Sequence, residues 1–279
     1  MSVTVHDATP CQLGEGPLWH PTRQRLYWFD ILGHRLLTQG QVWQFDRPVS
    51  AAGWVDDDHL LIASATDLIR FDLRDGSSEP IVALEADNPV TRSNDGRADP
   101  QGGFWIGTMG RDAQPEAGAL YRFYRGELRQ IRDGVTIPNG TCFTPDGRHA
   151  YFADTAAQIV WRYTLDADGW PDGAPEIFLD HRGSDVNTDG AIVDAEGRFV
   201  CAEWGGSRLA CYSPEGNLIE EIALPVPQPT CPAFGRDALY VTSARQGLSE
   251  DALRAAPRSG QTFHIATDIK GQAEHQVRL

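Results

Sequence analysis

A short phrase that recurs six times along the 279-residue chain constrains its fold more than any other feature. Each copy is a turn rich in Asp, Gly or Pro, followed by a run of apolar and aromatic residues typical of a β-strand. The copies read HPTRQRLYWFD, VDDDHLLIAS, DPQGGFWIGTM, TPDGRHAYFAD, DAEGRFVCAEW and FGRDALYVTSA. The chain is therefore built from repeats, and the repeat length decides their architecture.

The spacing of the copies fits the blades of a β-propeller. The copies align on Pro21, Asp56, Pro100, Pro145, Ala195 and Arg236, at successive intervals of 35, 44, 45, 50 and 41 residues. A period of about 40–50 residues carrying several short strands is typical of propeller blades. Helical periodicity is confined to GLSEDALRAAP (Gly247–Pro257), so a stack of βαβ units is excluded. We predict an all-β fold, a six-bladed β-propeller formed by residues 1–279 as a single domain, with that helix in a loop of blade six.

Closure of the propeller is predicted at the N-terminus. The segment SVTVHD has the alternating pattern of a strand and precedes the first repeat. By adding an outer strand to the last blade it would remove a free sheet edge.

The position six residues before each alignment point is polar in every repeat. In a propeller, equivalent positions near the start of the innermost strands converge on one end of the central channel. Six residues distant in sequence thus become one ring, which we call the polar ring. Its members are Glu15, Ser50, Asn94, Asn139, Asp189 and Thr230.

Three members of the polar ring are followed by glycine, in the contexts EGP, NGT and DGA. Two carboxylates and an amide facing one another near the channel axis are costly unless paired, and a divalent cation would pair them. An all-oxygen ligand set favours Ca²⁺, Mg²⁺ or Mn²⁺ over a thiolate-rich zinc site. Three protein ligands leave positions open for water and substrate, as in catalytic metal sites. A metal that only stabilises the channel is the alternative.

Asn139 admits two further interpretations from its local sequence. Asn-Gly is a frequent hairpin turn, and Asn-Gly-Thr is an acceptor sequence for glycosylation. Glycosylation would need a secretory compartment. The five scattered cysteines instead lack any CxxC pair and suggest free thiols in a reducing cytoplasm.

The composition limits the kinds of partner that this protein is expected to bind. The net charge of −15 opposes binding to nucleic acids and to anionic membranes. The N-terminus shows neither the basic nor the apolar part of a signal peptide, and no apolar run reaches membrane-spanning length. We expect a cytoplasmic protein, and no protein partner is indicated.

Five segments, in order, resemble the senescence marker protein/regucalcin/gluconolactonase family of six-bladed propellers. They are LGEGPLW (Leu13–Trp19), RSNDGRADPQGGFWIGTM (Arg92–Met109), PNGTCFTPDG (Pro138–Gly147), DGAIVDAEGRFVCAEWGG (Asp189–Gly206) and LPVPQPTCPAFG with LYVTSAR (Leu224–Arg245). The resemblance covers essentially the full length. It implies one divalent metal ion and, as in many members, hydrolysis of sugar lactones.

The resemblance also implies roles for individual residues. Glu15, Asn139 and Asp189 match the family's metal ligands, and Asp189 its general base. Arg92 and Asn94 match positions that hold the lactone's oxygens, and Asp112 falls where some members place a further acidic contact, in a loop that is shorter here. The metal is expected to be Ca²⁺, with Zn²⁺, Mn²⁺ and Mg²⁺ as alternatives.

The implied reaction is the opening of an aldonolactone by water, with the metal polarising the carbonyl. Either Asp189 accepts the proton of the water, or the metal activates the water itself. Two other functions use the same ring: a non-enzymatic divalent-metal-binding regulator, and a metal-dependent aryl esterase or phosphotriesterase. Arg92 and Asn94 favour an enzyme, because a metal buffer needs no substrate contacts.

Overall fold

Six four-stranded antiparallel sheets make up almost all of the protein, as seen in a computed structural model that describes residues 2–236 and 238–279. The prediction of an all-β, six-bladed propeller is therefore confirmed. Within the described residues, no helix is both long and apolar enough to cross a bilayer.

Each of the first three blades is one continuous stretch of chain that runs from the channel outward. Blade one consists of β2 (Gly14–His20), β3 (Arg25–Asp30), β4 (Arg35–Thr38) and β5 (Gln41–Gln44). Blade two consists of β6 (Val49–Trp54), β7 (His59–Ser64), β8 (Asp67–Asp72) and β9 (Ser78–Ala83). Blade three consists of β10 (Thr91–Ala98), β11 (Phe104–Gly110), β12 (Gly118–Tyr124) and β13 (Glu127–Val135).

Blades four and five follow the same plan, whereas the last blade takes its outermost strand from the other end of the chain. Blade four consists of β14 (Pro138–Phe143), β15 (His149–Asp154), β16 (Ile159–Thr164) and β17 (Glu176–Asp180). Blade five consists of β18 (Thr188–Val193), β19 (Phe199–Glu203), β20 (Arg208–Tyr212) and β21 (Leu218–Ala223). Blade six consists of β22 (Pro229–Phe234), β23 (Leu239–Ser243), β24 (Thr262–Ala266) and β1 (Ser2–Asp7).

The predicted closure is confirmed by the pairing of β1 with β24, in which Val3 lies opposite Ile265. The predicted helix is also confirmed, as α1 (Glu250–Ala255) between β23 and β24. Its N-cap is Ser249. The Ser249 side chain accepts a hydrogen bond from the Ala252 N–H at 3.2 Å and so satisfies one unpaired helical donor.

A bulge lies at or next to the polar-ring residue in every innermost strand. In blade one, Glu15 lies opposite Phe29 while Leu18 lies opposite Tyr27, so three steps on β2 match two on β3. Such a bulge bends the strand and redirects the side chain beside it. The same irregularity thus recurs at the polar-ring position of all six blades.

The C-terminal segment, residues 271–278, crosses the opposite end of the channel. The Gln272 side chain donates to the carbonyl oxygens of Phe143 (3.0 Å) and Val193 (2.8 Å), each the last residue of an innermost strand. The Val277 N–H donates to the Trp54 carbonyl, and Glu274 forms a partly buried ion pair with Arg97. This segment was not predicted, and it leaves the end with the polar ring as the open one.

Candidate functional site

A cavity of about 510 Å³ opens at the start of the innermost strands. All five residues predicted as ligands or substrate contacts line it. These are Glu15, Arg92, Asn94, Asn139 and Asp189. Sequence analysis thus identified one spatial cluster from four separate blades.

Two members of the polar ring do not line the cavity. The Ser50 hydroxyl donates to the Ser93 hydroxyl at 2.8 Å. The Thr230 hydroxyl donates to the Gly14 carbonyl at 2.5 Å, which joins blade six to blade one. Both are buried and serve contacts between blades, so the functional part of the ring comprises four residues.

The glycines after the three predicted ligands have the expected geometric roles. Gly16 and Gly140 adopt φ values of +52° and +64°, a region that strains other residues. A Cβ on Gly16 would lie 2.2 Å from the Ser50 carbonyl oxygen, and one on Gly190 would lie 2.4 Å from the Cys231 sulfur. Close packing therefore excludes a side chain at Gly16 and Gly190, and the positive φ disfavours one at Gly140.

Glu15 and Asp189 are buried carboxylates that face each other, each with only 4% of its surface exposed. Burial raises the pKa of Glu15 to about 8, with a further increase from Asp95. Burial and the charge of Glu15 raise the pKa of Asp189 well above its ordinary value. The guanidinium of Arg92 lowers the pKa of Glu15, but by less than burial and Asp95 raise it. The positive charge of Arg92 is therefore too small an effect to offset the cost of burying the two carboxylates.

The side-chain amide of Asn139 is oriented by a neighbouring hydroxyl. Thr155 donates its one hydroxyl proton to the Thr188 carbonyl at 2.6 Å. Its oxygen can then only accept, which it does from the Asn139 Nδ2 at 2.8 Å. The amide nitrogen is thereby directed at Thr155, and the carbonyl oxygen Oδ1 is left for the ring.

The structure contradicts both other interpretations of Asn139. The residue lies within β14 rather than in a hairpin turn. Its side chain is buried and hydrogen-bonded, so it cannot serve as a glycosylation acceptor.

Arg92 lies beside the polar ring and is hydrogen-bonded to Asn94, one of its members. Arg92 Nη1 donates to Asn94 Oδ1 at 2.8 Å, and Asn94 Nδ2 donates to Asn139 Oδ1 at 3.1 Å and to the Pro138 carbonyl at 2.9 Å. Both amide hydrogens of Asn94 are thus used. Arg92 Nε is buried without a partner within the described residues, which leaves a donor of Arg92 unsatisfied.

The residues of the site fit a divalent cation with oxygen ligands. Two buried carboxylates repel each other, and the Asn139 carbonyl oxygen is held toward them, so a positive charge between them would relieve the cost of burial. No group of three His, Cys, Asp or Glu side chains within residues 2–236 and 238–279 could hold a metal ion. The proposed ligands are two carboxylates and one amide oxygen, a set that differs from a zinc site of sulfur and imidazole ligands.

Several residues of the site were not found from the sequence. Thr155, Trp204, Arg111 and Gln228 also line the cavity, and Asp95 lies buried close enough to affect both carboxylates. Gln228 could have been found, because it precedes its polar-ring residue by two positions, as Arg92 does. Asp112 lines the exposed mouth of the same cavity.

Residues 13–245 match the sequence profile of the family described as SMP-30/Gluconolactonase/LRE-like region. The chain belongs to this family. Among its relatives, the L-arabinolactonase of Azospirillum brasilense is 36% identical over 277 residues, which cover 94% of this chain and 90% of that protein. The 6-deoxy-6-sulfogluconolactonase of Pseudomonas putida is 35% identical over 280 residues, which cover 95% and 94%.

Solved structures of the SMP-30/gluconolactonase family have the same fold. The calcium-binding protein regucalcin from Agrobacterium tumefaciens strain C58 superposes with a TM-score of 0.97 at 40% identity, covering 100% of this chain and 98% of that one. The resemblance stated from the sequence motifs is therefore confirmed at the level of family and fold.

Proposed function

We propose that this protein hydrolyses sugar lactones to aldonic acids, with one divalent cation held by Glu15, Asn139 and Asp189. The observation that carries the proposal is the convergence of two buried carboxylates, an oriented amide oxygen and the buried Arg92 on one cavity. Relatives at 35–36% identity named as lactonases support it. Lewis acidity toward the lactone carbonyl is what the cation supplies when bound.

The protein's own residues account for the rest of the reaction. Water adds to the carbonyl carbon, the ring C–O bond breaks, and the departing oxygen takes up a proton to give the hydroxy acid. Arg92 donates hydrogen bonds to the lactone's oxygens and opposes the negative charge that develops there. Asp189 accepts the proton of the attacking water. Trp204 and Met109 give the cavity apolar walls that limit the entry of other water.

Ca²⁺ is the proposed native ion, because hard oxygen ligands suit it and the regucalcin neighbour is a calcium-binding protein. Mg²⁺, Mn²⁺ and Zn²⁺ are the alternatives for the same three ligands. We place the activity in the cytoplasm because all five cysteines are free and buried, as expected in a reducing compartment.

The test is hydrolysis of a panel of aldonolactones and one aryl ester, each with chelator and with each of the four ions. We expect lactone hydrolysis that chelator abolishes and Ca²⁺ restores. Tight Ca²⁺ binding without turnover of any substrate would indicate a metal-binding regulator instead. Preference for the aryl ester would indicate an esterase.

A further inference from the structure

The residues two positions before the polar ring form a second tier around the cavity. Four of its six members line the cavity: Leu13, Arg92, Ile137 and Gln228. Innermost strands pack against those of the neighbouring blades in chain order around the axis, so blades three and six are opposite, as are blades one and four. The polar members, Arg92 and Gln228, therefore face each other across the axis, and so do the apolar members, Leu13 and Ile137.

Gln228 carries a buried oxygen atom that no described residue satisfies. The residue is 8% exposed, and its Oε1 has no hydrogen-bond partner within the described residues. The polar-ring residue of the same blade, Thr230, cannot serve the cavity because its hydroxyl bonds to Gly14. An unpaired buried carbonyl oxygen is costly unless a ligand donates a hydrogen bond to it. Arg92 Nε is unpaired on the opposite wall, within the same described part of the chain.

We propose that Gln228 is a specificity-determining residue that binds a hydroxyl of the lactone on the edge facing away from Arg92. The inference rests on the proposed function and deepens it. A sugar ring carries its hydroxyl groups on its edges and C–H groups on its faces. With edges toward Arg92 and Gln228, the ring turns its C–H faces toward Leu13 and Ile137. A lactone lacking the hydroxyl leaves Gln228 unpaired and is therefore rejected.

The experiment compares kcat/KM of the wild type and Gln228→Leu for a parent aldonolactone and its monodeoxy analogues. In the wild type, one analogue should react about 10- to 100-fold more slowly than the parent lactone, because it leaves one buried polar group unpaired. Relative to the wild type, kcat/KM of Gln228→Leu should be lower by a similar factor for the parent lactone and unchanged for that analogue. The Ca²⁺ Kd should stay within about twofold, since leucine removes no metal ligand.

Gln101→Leu is the matched control. Its Oε1 also lacks a partner within the described residues, but Gln101 lies in a turn away from this cavity and donates to the Gly147 carbonyl. Its kinetics should equal those of the wild type for every lactone.

Two outcomes overturn the assignment of Gln228. One is a wild type that hydrolyses all monodeoxy analogues as fast as the parent, a result that needs no variant. The other is an equal loss on all lactones in Gln228→Leu, with Gln228→Met as the substitute if the leucine variant does not fold. Lactone hydrolysis by the wild type in either case leaves the proposed function intact, whereas its absence refutes the function itself.

Discussion

At the scale of single residues, the orientation of one amide decides whether Asn139 presents an oxygen to the proposed cation. Two hydrogen bonds fix the amide of Asn139: its nitrogen donates to Thr155, and its oxygen accepts from Asn94. Thr155 is left to accept because its own proton goes to the Thr188 carbonyl. Thr188 directly precedes Asp189. One hydroxyl therefore links the strands that carry two of the three proposed ligands.

The first prediction removes that hydroxyl without changing the shape of the side chain. Thr155→Val should weaken Ca²⁺ binding about tenfold, the effect typical of residues that orient a metal ligand. Thr155→Ser keeps the hydroxyl and should bind Ca²⁺ as the wild type does. Isothermal titration calorimetry measures both. Equal affinity in the wild type and Thr155→Val would mean that Asn139 is not oriented in this way.

The second prediction separates substrate binding from metal binding. Arg92→Lys should reduce kcat/KM about 100-fold, because an ammonium cannot reproduce the planar set of donors that the lactone's oxygens require. Its Ca²⁺ affinity should be retained, since Arg92 is not a ligand. Unchanged turnover in this variant would remove Arg92 from the site.

At the scale of elements, a bulge accompanies the polar-ring residue in each innermost strand. In β2 the bulge depends on Gly16, which has a positive φ and lies against the backbone of the neighbouring blade. The same glycine thus shapes the strand beside Glu15 and the contact between blades one and two.

The third prediction compares two glycines of similar conformation. Gly40 has a φ of +79°, and a Cβ added to it would meet no described atom within 4 Å, so Gly40→Ala should cost about 1 kcal/mol of unfolding free energy from backbone strain alone. Gly16→Ala should cost about 2–4 kcal/mol, because the clash with Ser50 adds to that strain. Urea unfolding measures both. Equal costs would show that blade two relaxes around the added methyl group without further loss of stability.

At the scale of the whole molecule, both ends of the chain complete the propeller. The first strand fills the outer edge of blade six, and the last residues cross the closed end of the channel. Between the closed end and the open one lie the buried carboxylates Glu15, Asp95 and Asp189. Their common burial predicts that the stability of the propeller depends on pH and on the proposed metal ion.

The fourth prediction concerns that link. Glu15 has an ordinary pKa of 4.5, which the folded protein raises to about 8. Between these values the unfolded chain has lost a proton that the folded protein keeps, so the stability of metal-free protein should fall as pH rises from about 5 to 8. Because Ca²⁺ replaces the proton, the Ca²⁺-induced rise in Tm should grow over the same range. Thermal melts at pH 5, 6, 7 and 8, with chelator and with Ca²⁺, measure both effects.

Glu15→Gln is the control for the pH dependence. It removes the titrating group, so its melting temperature in chelator should fall less between pH 5 and 8 than that of the wild type. A wild-type melting temperature that does not change with pH in chelator would contradict the raised pKa.

The sequence by itself determined the propeller, its closing strand and five residues that line one cavity. Strand periodicity and repeats of similar length specify which side of each innermost strand faces the channel, and this identified four of the five residues. Glu15, Asn139 and Asp189 were found together for this reason, although up to 174 residues separate them. The fifth, Arg92, came from the family resemblance.

Only the tertiary structure decided which ring members serve the cavity and how they are held. Ser50 and Thr230 occupy the same repeat position as Glu15, but their hydroxyls bond to neighbouring blades. The amide orientation of Asn139, the position of Gln228 opposite Arg92 and the closed channel end likewise depend on contacts between distant segments. Such contacts leave no local pattern, because a hydrogen bond such as that from Gln272 to Phe143 joins residues 129 positions apart.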